Sequence, residues 1–275
     1  TVARQRLLAL AYRAYGVCLI CLRKATWYFE VVSTMSEIQD SVTIVTGAGR
    51  GVGRAIALAL AERGGRVVLC ARSADDLVKV ADEVRDHGGR AETIRGDIRE
   101  EAVAQALAEK ALDAFGRIDT LVNNAGVGGY GQVESLSLES WQRVLDTNLT
   151  GAFLCSRAVL PAMRRQGSGH IIMIDSGAGK QGYANMAAYS ASKFGLIGFA
   201  QALAQEASDD GVKVCTITPG SIVSGFGGGR TRPGAKYLLP EDVAEAVLFL
   251  IQQSERAWTQ EMSLWPFKVF TPEEG

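Results

Sequence analysis

Tyr189 and Lys193 stand four residues apart in Tyr189-Ser190-Ala191-Ser192-Lys193. On a helix this spacing puts a phenol and an amine on one face, one turn apart. A nearby ammonium favours the phenolate and lowers the phenol pKa from its ordinary value near 10. A tyrosine tuned in this way could shuttle a proton at neutral pH. The same spacing also occurs on solvated helix faces, so its weight rests on its company. Ser176 stands thirteen positions earlier, just after an apolar run, and Asn148 sits within a helical pattern where asparagine is intrinsically poor. Each has an ordinary explanation: a serine after a strand is often a turn former, and an exposed mid-helix asparagine is harmless. Metal chemistry has no support. His87 and His170 are the only histidines and lie far apart, and Cys18-x-x-Cys21 has no second cysteine pair.

A second stretch points to a phosphate ligand. The apolar, β-branched run Val42 to Thr46 leads into Gly47-Ala48-Gly49-Arg50-Gly51-Val52-Gly53, and helix formers follow from Ala55 to Arg63 before Gly64-Gly65. This reads as strand, tight turn, helix. Glycine suits such a turn because the backbone angles exclude a Cβ and a phosphate must come close. The helix N-terminus then presents free N–H groups to a pyrophosphate. A purely steric turn is the competing explanation.

These residues need a scaffold, and the rest of the chain describes one. Strands are expected at Arg66–Ala71, Ala91–Ile94, Thr120–Val122, His170–Ile174 and Val212–Ile217, with a last one at Met262–Trp265. Helices are expected at Ala74–His87, Glu100–Phe115, Leu138–Met163 with a break near Gly151, Met186–Ala207 and Glu241–Gln252. Short apolar strands alternating with helices imply an α/β fold, a doubly wound parallel sheet in a single Rossmann-like domain. Ligands of such sheets sit at the carboxyl ends of the strands. Those ends carry the glycine turn, Ala71-Arg72, Asp97, Asn123 to Gly126, Asp175-Ser176 and Pro219 to Ser224. Gly225–Ala235 reads as a mobile lid.

The 275 residues are 47% apolar with a net charge of -1, which allows a sizeable core and offers no basic field for nucleic acid. Five scattered cysteines argue against a disulfide framework and for a reducing, cytoplasmic setting. Residues 1–34 differ from the rest: five basic residues precede the first acid, Glu30. The apolar stretch Leu7–Leu22 is interrupted by Arg13 and is short for a membrane span. We expect 1–34 to be an extension outside the fold, with organelle targeting as the alternative, and 35–275 to be the single domain.

In combination these motifs resemble the short-chain dehydrogenase/reductase family over residues 36–267. The resemblance is carried by T-G-A-G-R-G-V-G at 46–53, Asp97, N-N-A-G at 123–126, the set Asn148, Ser176, Tyr189 and Lys193, and Pro219-Gly220. It implies that Tyr189 is the general acid or base toward a small-molecule carbonyl or alcohol. Lys193 would lower its pKa and bind the nicotinamide ribose, with Tyr189 also in contact with the cofactor, Ser176 would hold the substrate carbonyl, and Asn148 would hold a proton-relay water. It further implies a dinucleotide site built from Gly47, Arg50, Gly51, Val52 and Gly53. Asp97 would contact the adenine with Ile98 beside it, Asn123 and Ala125 would line the adenosine side, and Pro219, Ile222 and Ser224 would fix the carboxamide. No membrane or nucleic-acid partner follows, but a homodimer or homotetramer does, through helices near 139–165 and 186–207.

Charge bears on the choice of cofactor. An NAD site would place an acid at the end of the second strand to hold the ribose 2′-OH. Here Ala71 is followed by Arg72, and Arg50 lies in the turn. Two guanidiniums and no acid suit a 2′-phosphate and favour NADP(H) over NAD(H), unless both are merely solvated. Three departures from the family pattern stand out: Asp175 before Ser176, Ser224 where threonine is usual, and no glycine in Trp258-Thr259-Gln260-Glu261. Two other readings remain open: a dinucleotide-sensing protein without turnover, and a 3-oxoacyl-carrier reductase whose Arg230, Arg232 and Lys236 meet an acidic carrier.

Overall fold

The computed structural model describes residues 38–223 and 235–268. The N-terminal extension, Ser224, Arg230, Arg232 and nearly all of the expected lid therefore lie outside the described residues. In chain order the elements are β1 (Val42–Thr46), α1 (Gly51–Ala61), β2 (Arg66–Ala71), α2 (Ala74–Asp86), β3 (Arg90–Arg95), α3 (Glu101–Phe115), β4 (Thr120–Asn123), α4 (Leu138–Leu145), α5 (Gly151–Gln166), β5 (Gly169–Ile174), α6 (Ala187–Ala207), β6 (Val212–Pro219), α7 (Pro240–Ile251) and β7 (Glu261–Leu264). A short turn in 252–257 is closed by the Ala257 N–H to the Ser254 carbonyl, 2.9 Å.

All seven strands pair in parallel, in the order β3-β2-β1-β4-β5-β6-β7. Alternate strand residues feed two separate cores, which is why the strands read as continuous apolar runs. Val45, Leu69, Val122, Ile172 and Ile217 pack with α1, α2 and α7. Ile44, Val68, Leu121, Ile171 and Met173 pack with α3, α5 and α6. Strand order reverses between β1 and β4, and a crevice opens at such a point. Among the described residues no helix is long and apolar enough to cross a membrane.

The helix stops follow from local chemistry. Gly116 (φ +78) and Gly167 (φ +66) end α3 and α5 in the left-handed conformation that a Cβ disfavours. Ser73 caps α2 by accepting from the Asp76 N–H at 3.2 Å. The break expected near Gly151 is a π-turn over Asp146–Thr150 that joins α4 to α5. Gly151 itself lets α5 approach the loop after β3, because a Cβ there would run into Ile98. The missing glycine does not prevent β7, which pairs Glu261–Leu264 with Thr216–Pro219.

Candidate active site

The glycine turn is held shut from the β4 side. Thr46 Oγ1 accepts from the Asn124 and Ala125 N–H groups at 3.0 and 3.1 Å. Asn124 Nδ2 donates to the Thr46 and Gly47 carbonyls at 2.9 and 3.1 Å. Gly47 is left-handed (φ +64), and a Cβ on it would stand 2.8 Å from the Ala125 Cα. A Cβ on Gly53 would meet the Gly47 carbonyl and stand 2.6 Å from Asn124 Nδ2. Gly51 and Val52 form the first turn of α1, which has neither a side-chain cap nor an acidic residue. Its leading N–H groups therefore have no side chain competing with an anion.

Arg50 and Arg72 are both exposed on this rim. Arg95, opposite Ala71 in the β2–β3 register, adds a third guanidinium and donates to the Arg72 carbonyl at 3.3 Å. Asp97 is gripped by Arg99, whose Nε reaches both carboxylate oxygens at 3.0 Å and whose Nη2 reaches Oδ2 at 2.7 Å. That grip holds its carboxyl below the usual carboxylate range. Two expected cofactor residues turn their side chains elsewhere. Asn123 Nδ2 donates to Ser156 Oγ at 3.1 Å, and Ile98 packs on Gly151, so any dinucleotide contact of theirs comes from the main chain. Pro219 is buried at the end of β6, and Ile222 pairs with Leu238 in an isolated bridge.

At the carboxyl ends of β5 and β4 the reactive side chains meet. The Ser176 hydroxyl hydrogen-bonds the Tyr189 phenol. Lys193 Nζ lies 5.9 Å from the Tyr189 ring centre and donates to the Ile174 carbonyl at 2.7 Å. Tyr189 and Lys193 are buried. The expected depression of the phenol pKa is not what governs here. Burial pushes Tyr189 up to about 12, Asp175 pushes the same way, and the Ser176 hydrogen bond opposes them. At neutral pH Tyr189 therefore holds its proton and can give it. Burial also lowers the Lys193 pKa, against the pull of Asp175.

A match to the family model described as short chain dehydrogenase spans residues 41–232. The chain belongs to the short-chain dehydrogenase family. As a member it is an oxidoreductase acting on CH–OH/C=O groups. It is similar to a 3-oxoacyl-(acyl-carrier-protein) reductase of Synechocystis sp., 39% identical over 232 residues that make up 82% of this chain and 94% of the relative. It is 34% identical to a sepiapterin reductase of Chlorobaculum tepidum over 82% of this chain and 96% of that one. Among solved structures, a metagenomic short-chain oxidoreductase in complex with NADP superposes with a TM-score of 0.76 at 37% identity, covering 84% of this chain and 99% of that one. An alcohol dehydrogenase from the archaeon Thermococcus sibiricus, complexed with 5-hydroxy-NADP, superposes at 0.77 and 30% identity, covering 82% and 95%.

Within this short-chain dehydrogenase, Asn148 acts as a brace. Its Oδ1 accepts from the Val127 N–H at 2.8 Å, and its Nδ2 donates to the Val127 carbonyl and Ser192 Oγ, both at 3.0 Å. Ser192 in turn donates to the Tyr189 carbonyl at 2.7 Å. Both amide hydrogens are engaged, so a relay water held here would donate to this residue rather than accept from its side chain. The wide π-turn aims this amide inward, and such turns recur at functional sites. Asn148→Ala should cost on the order of 2–3 kcal/mol by leaving the Val127 and Ser192 groups unsatisfied. Denaturant unfolding measures it; an unchanged midpoint would remove the bracing role.

Sequence reasoning gave Asn124 no role beyond its place in N-N-A-G and passed over Arg95 and Trp265 as site residues. Trp265 lies across Gly177 and Gly220, where a Cβ would stand 3.0 Å from its ring, and so walls the site beside Ser176. The only signals were the doubled asparagine after β4 and a large aromatic closing the last strand.

Proposed function

We propose that this chain is an NADP(H)-dependent oxidoreductase that interconverts a carbonyl and a secondary alcohol, with Tyr189 as general acid and base. The observation that carries this reading is the hydrogen-bonded Ser176–Tyr189 pair with buried Lys193, set beside the glycine turn at the sheet's reversal point.

The residues present fit a dinucleotide. A Cβ would fill the cradle at Gly47 and Gly53, and α1 offers an uncapped first turn to a pyrophosphate. Arg50, Arg72 and Arg95 suit a 2′-phosphate, against two nearby carboxylates: Asp76, which packs on Gly49, and Asp97, which acts on Arg72 but is gripped by Arg99. In this reading Lys193 binds the nicotinamide ribose. When bound, the cofactor supplies or accepts the hydride. Ser176 positions the carbonyl oxygen and steadies developing negative charge there. Tyr189 gives its phenolic proton to that oxygen during reduction and takes one from the alcohol in reverse. Asn148 keeps the Val127 loop and the first turns of α6 in register.

NADP in one structural neighbour and 5-hydroxy-NADP in another support the cofactor choice. Arg72→Asp should weaken NADPH binding at least about tenfold more than NADH binding, the equivalent of one lost charge-assisted contact. Fluorescence titration with both cofactors measures this, and equal losses would refute the phosphate assignment.

The function is tested by NADPH consumption over a panel of 3-oxoacyl thioesters, α-diketones, aromatic aldehydes and cyclic ketones. Turnover of any of them supports the reading, and binding without turnover supports a sensor. A preference for 3-oxoacyl thioesters would support the narrower reading of a carrier-linked reductase, which the Synechocystis relative favours. The reading also includes a homodimer or homotetramer through α5 and α6, where Phe153 and Phe194 are exposed.

A further inference from the structure

Asp175 is the residue in this site that the family resemblance does not account for. It sits between β5 and Ser176, and it is 4% exposed. No side chain among the described residues hydrogen-bonds either carboxylate oxygen, and the one hydrogen bond that favours its charged form comes from the Ser176 backbone N–H. The carboxylate fits only because residue 179 is glycine: a Cβ there would run into Oδ2 and stand 3.0 Å from Cγ. A buried carboxylate with no ion-pair contact costs stability.

The groups facing it come from three elements. Lys180, in the turn after β5, and Glu261, on β7, act on Asp175 with opposite signs and are ion-paired to each other. Tyr189 and Lys193 face it from α6, and Lys193 is anchored to the Ile174 carbonyl, one residue before Asp175. The ammonium of Lys193 is hydrogen-bonded to that carbonyl and is in no ion pair among the described residues, so Asp175 acts on it as a nearby charge rather than through direct contact. Asp175 is the group that raises the pKa of that buried ammonium.

We propose that Asp175 is the buried counter-charge of Lys193 and thereby a positioning residue of the Ser176–Tyr189–Lys193 site. The inference rests on the reading of Tyr189 and Lys193 as the working pair. Ionised, Asp175 keeps Lys193 an ammonium against the lowering effect of burial and holds it at the Ile174 carbonyl. It also disfavours the Tyr189 phenolate, which keeps the phenol protonated as an acid. The neutral form releases both constraints.

The coupling is read directly by ¹³C-carboxyl NMR of the full chain, with Asp175 assigned from the signal lost in Asp175→Asn. The wild-type signal should titrate near pH 6. In Lys193→Met it should titrate at least about one unit higher, because the ammonium that favours the carboxylate is gone. An unchanged midpoint in Lys193→Met would overturn the proposal. The second measurement is the pH profile of kcat, from pH 5 to 8, on the panel carbonyl with the highest wild-type turnover. Asp175→Asn and Asp175→Ala should lose the wild-type inflection near pH 6. Profiles superimposable on the wild type would also overturn it. An active Tyr189→Phe would instead bring down the catalytic reading, so the two failures are distinguishable.

Discussion

Tyr189→Phe should lower kcat for carbonyl reduction by about a hundred- to ten-thousand-fold, the usual span for a lost general acid. NADPH affinity should be unchanged. The change deletes one oxygen and leaves the ring in its small cluster with Val144, Ala178 and Ala188. What disappears is the proton donor that Ser176 orients. Steady-state NADPH consumption gives the rate, and fluorescence titration gives the affinity. A fall in affinity matching the fall in rate would show a folding or cofactor defect instead. An unchanged rate would remove Tyr189 from the chemistry.

The second large effect concerns stability and pH. Burial raises the Asp175 carboxyl from its ordinary 3.8 to about 6, even with Lys193 pulling the other way. The folded chain therefore binds this proton more tightly than the unfolded chain does. The contribution of Asp175 to stability is fully present below about pH 4 and is lost as pH rises through 6. A shift of that size is worth about 3 kcal/mol. Asp175→Asn cannot ionise and escapes the loss. Its stability relative to wild type should rise by about 3 kcal/mol between pH 4 and pH 8. Urea unfolding at both values tests this, and a difference that stays flat would contradict the buried-carboxylate account. A gain in stability joined to altered turnover would be the usual trade at a working site.

Most of the scaffold was legible because it is written in local chemistry. Glycines that end α3 and α5 need left-handed backbone, and apolar runs without polar alternation announce strands covered on both faces. The ends of β2 and α6 fall within a residue of where the pattern places them. Tyr189, Lys193 and Ser176 were legible because one helical turn and one strand end bring them together. What local pattern could not supply was which elements become neighbours. Arg95 joins the cofactor rim only because β3 lies beside β2, and Trp265 joins the site only because β7 lies beside β6. Asn123 and Asn124 are adjacent in sequence but point to opposite faces of the strand end, and the sheet's orientation decides which one locks the glycine turn. The tyrosine pKa was misjudged for a related reason. A spacing rule shows the ammonium nearby but not the depth at which both groups are buried.

The most direct test of the account follows the hydride itself. Wild-type protein is incubated with NADPH deuterated at the transferring position of C4 and with the panel carbonyls, and the products are analysed by mass spectrometry. The account predicts one deuterium on the carbinol carbon of the alcohol, formed at least about a hundredfold more slowly with Tyr189→Phe. NADPH that binds yet leaves every carbonyl undeuterated would contradict it.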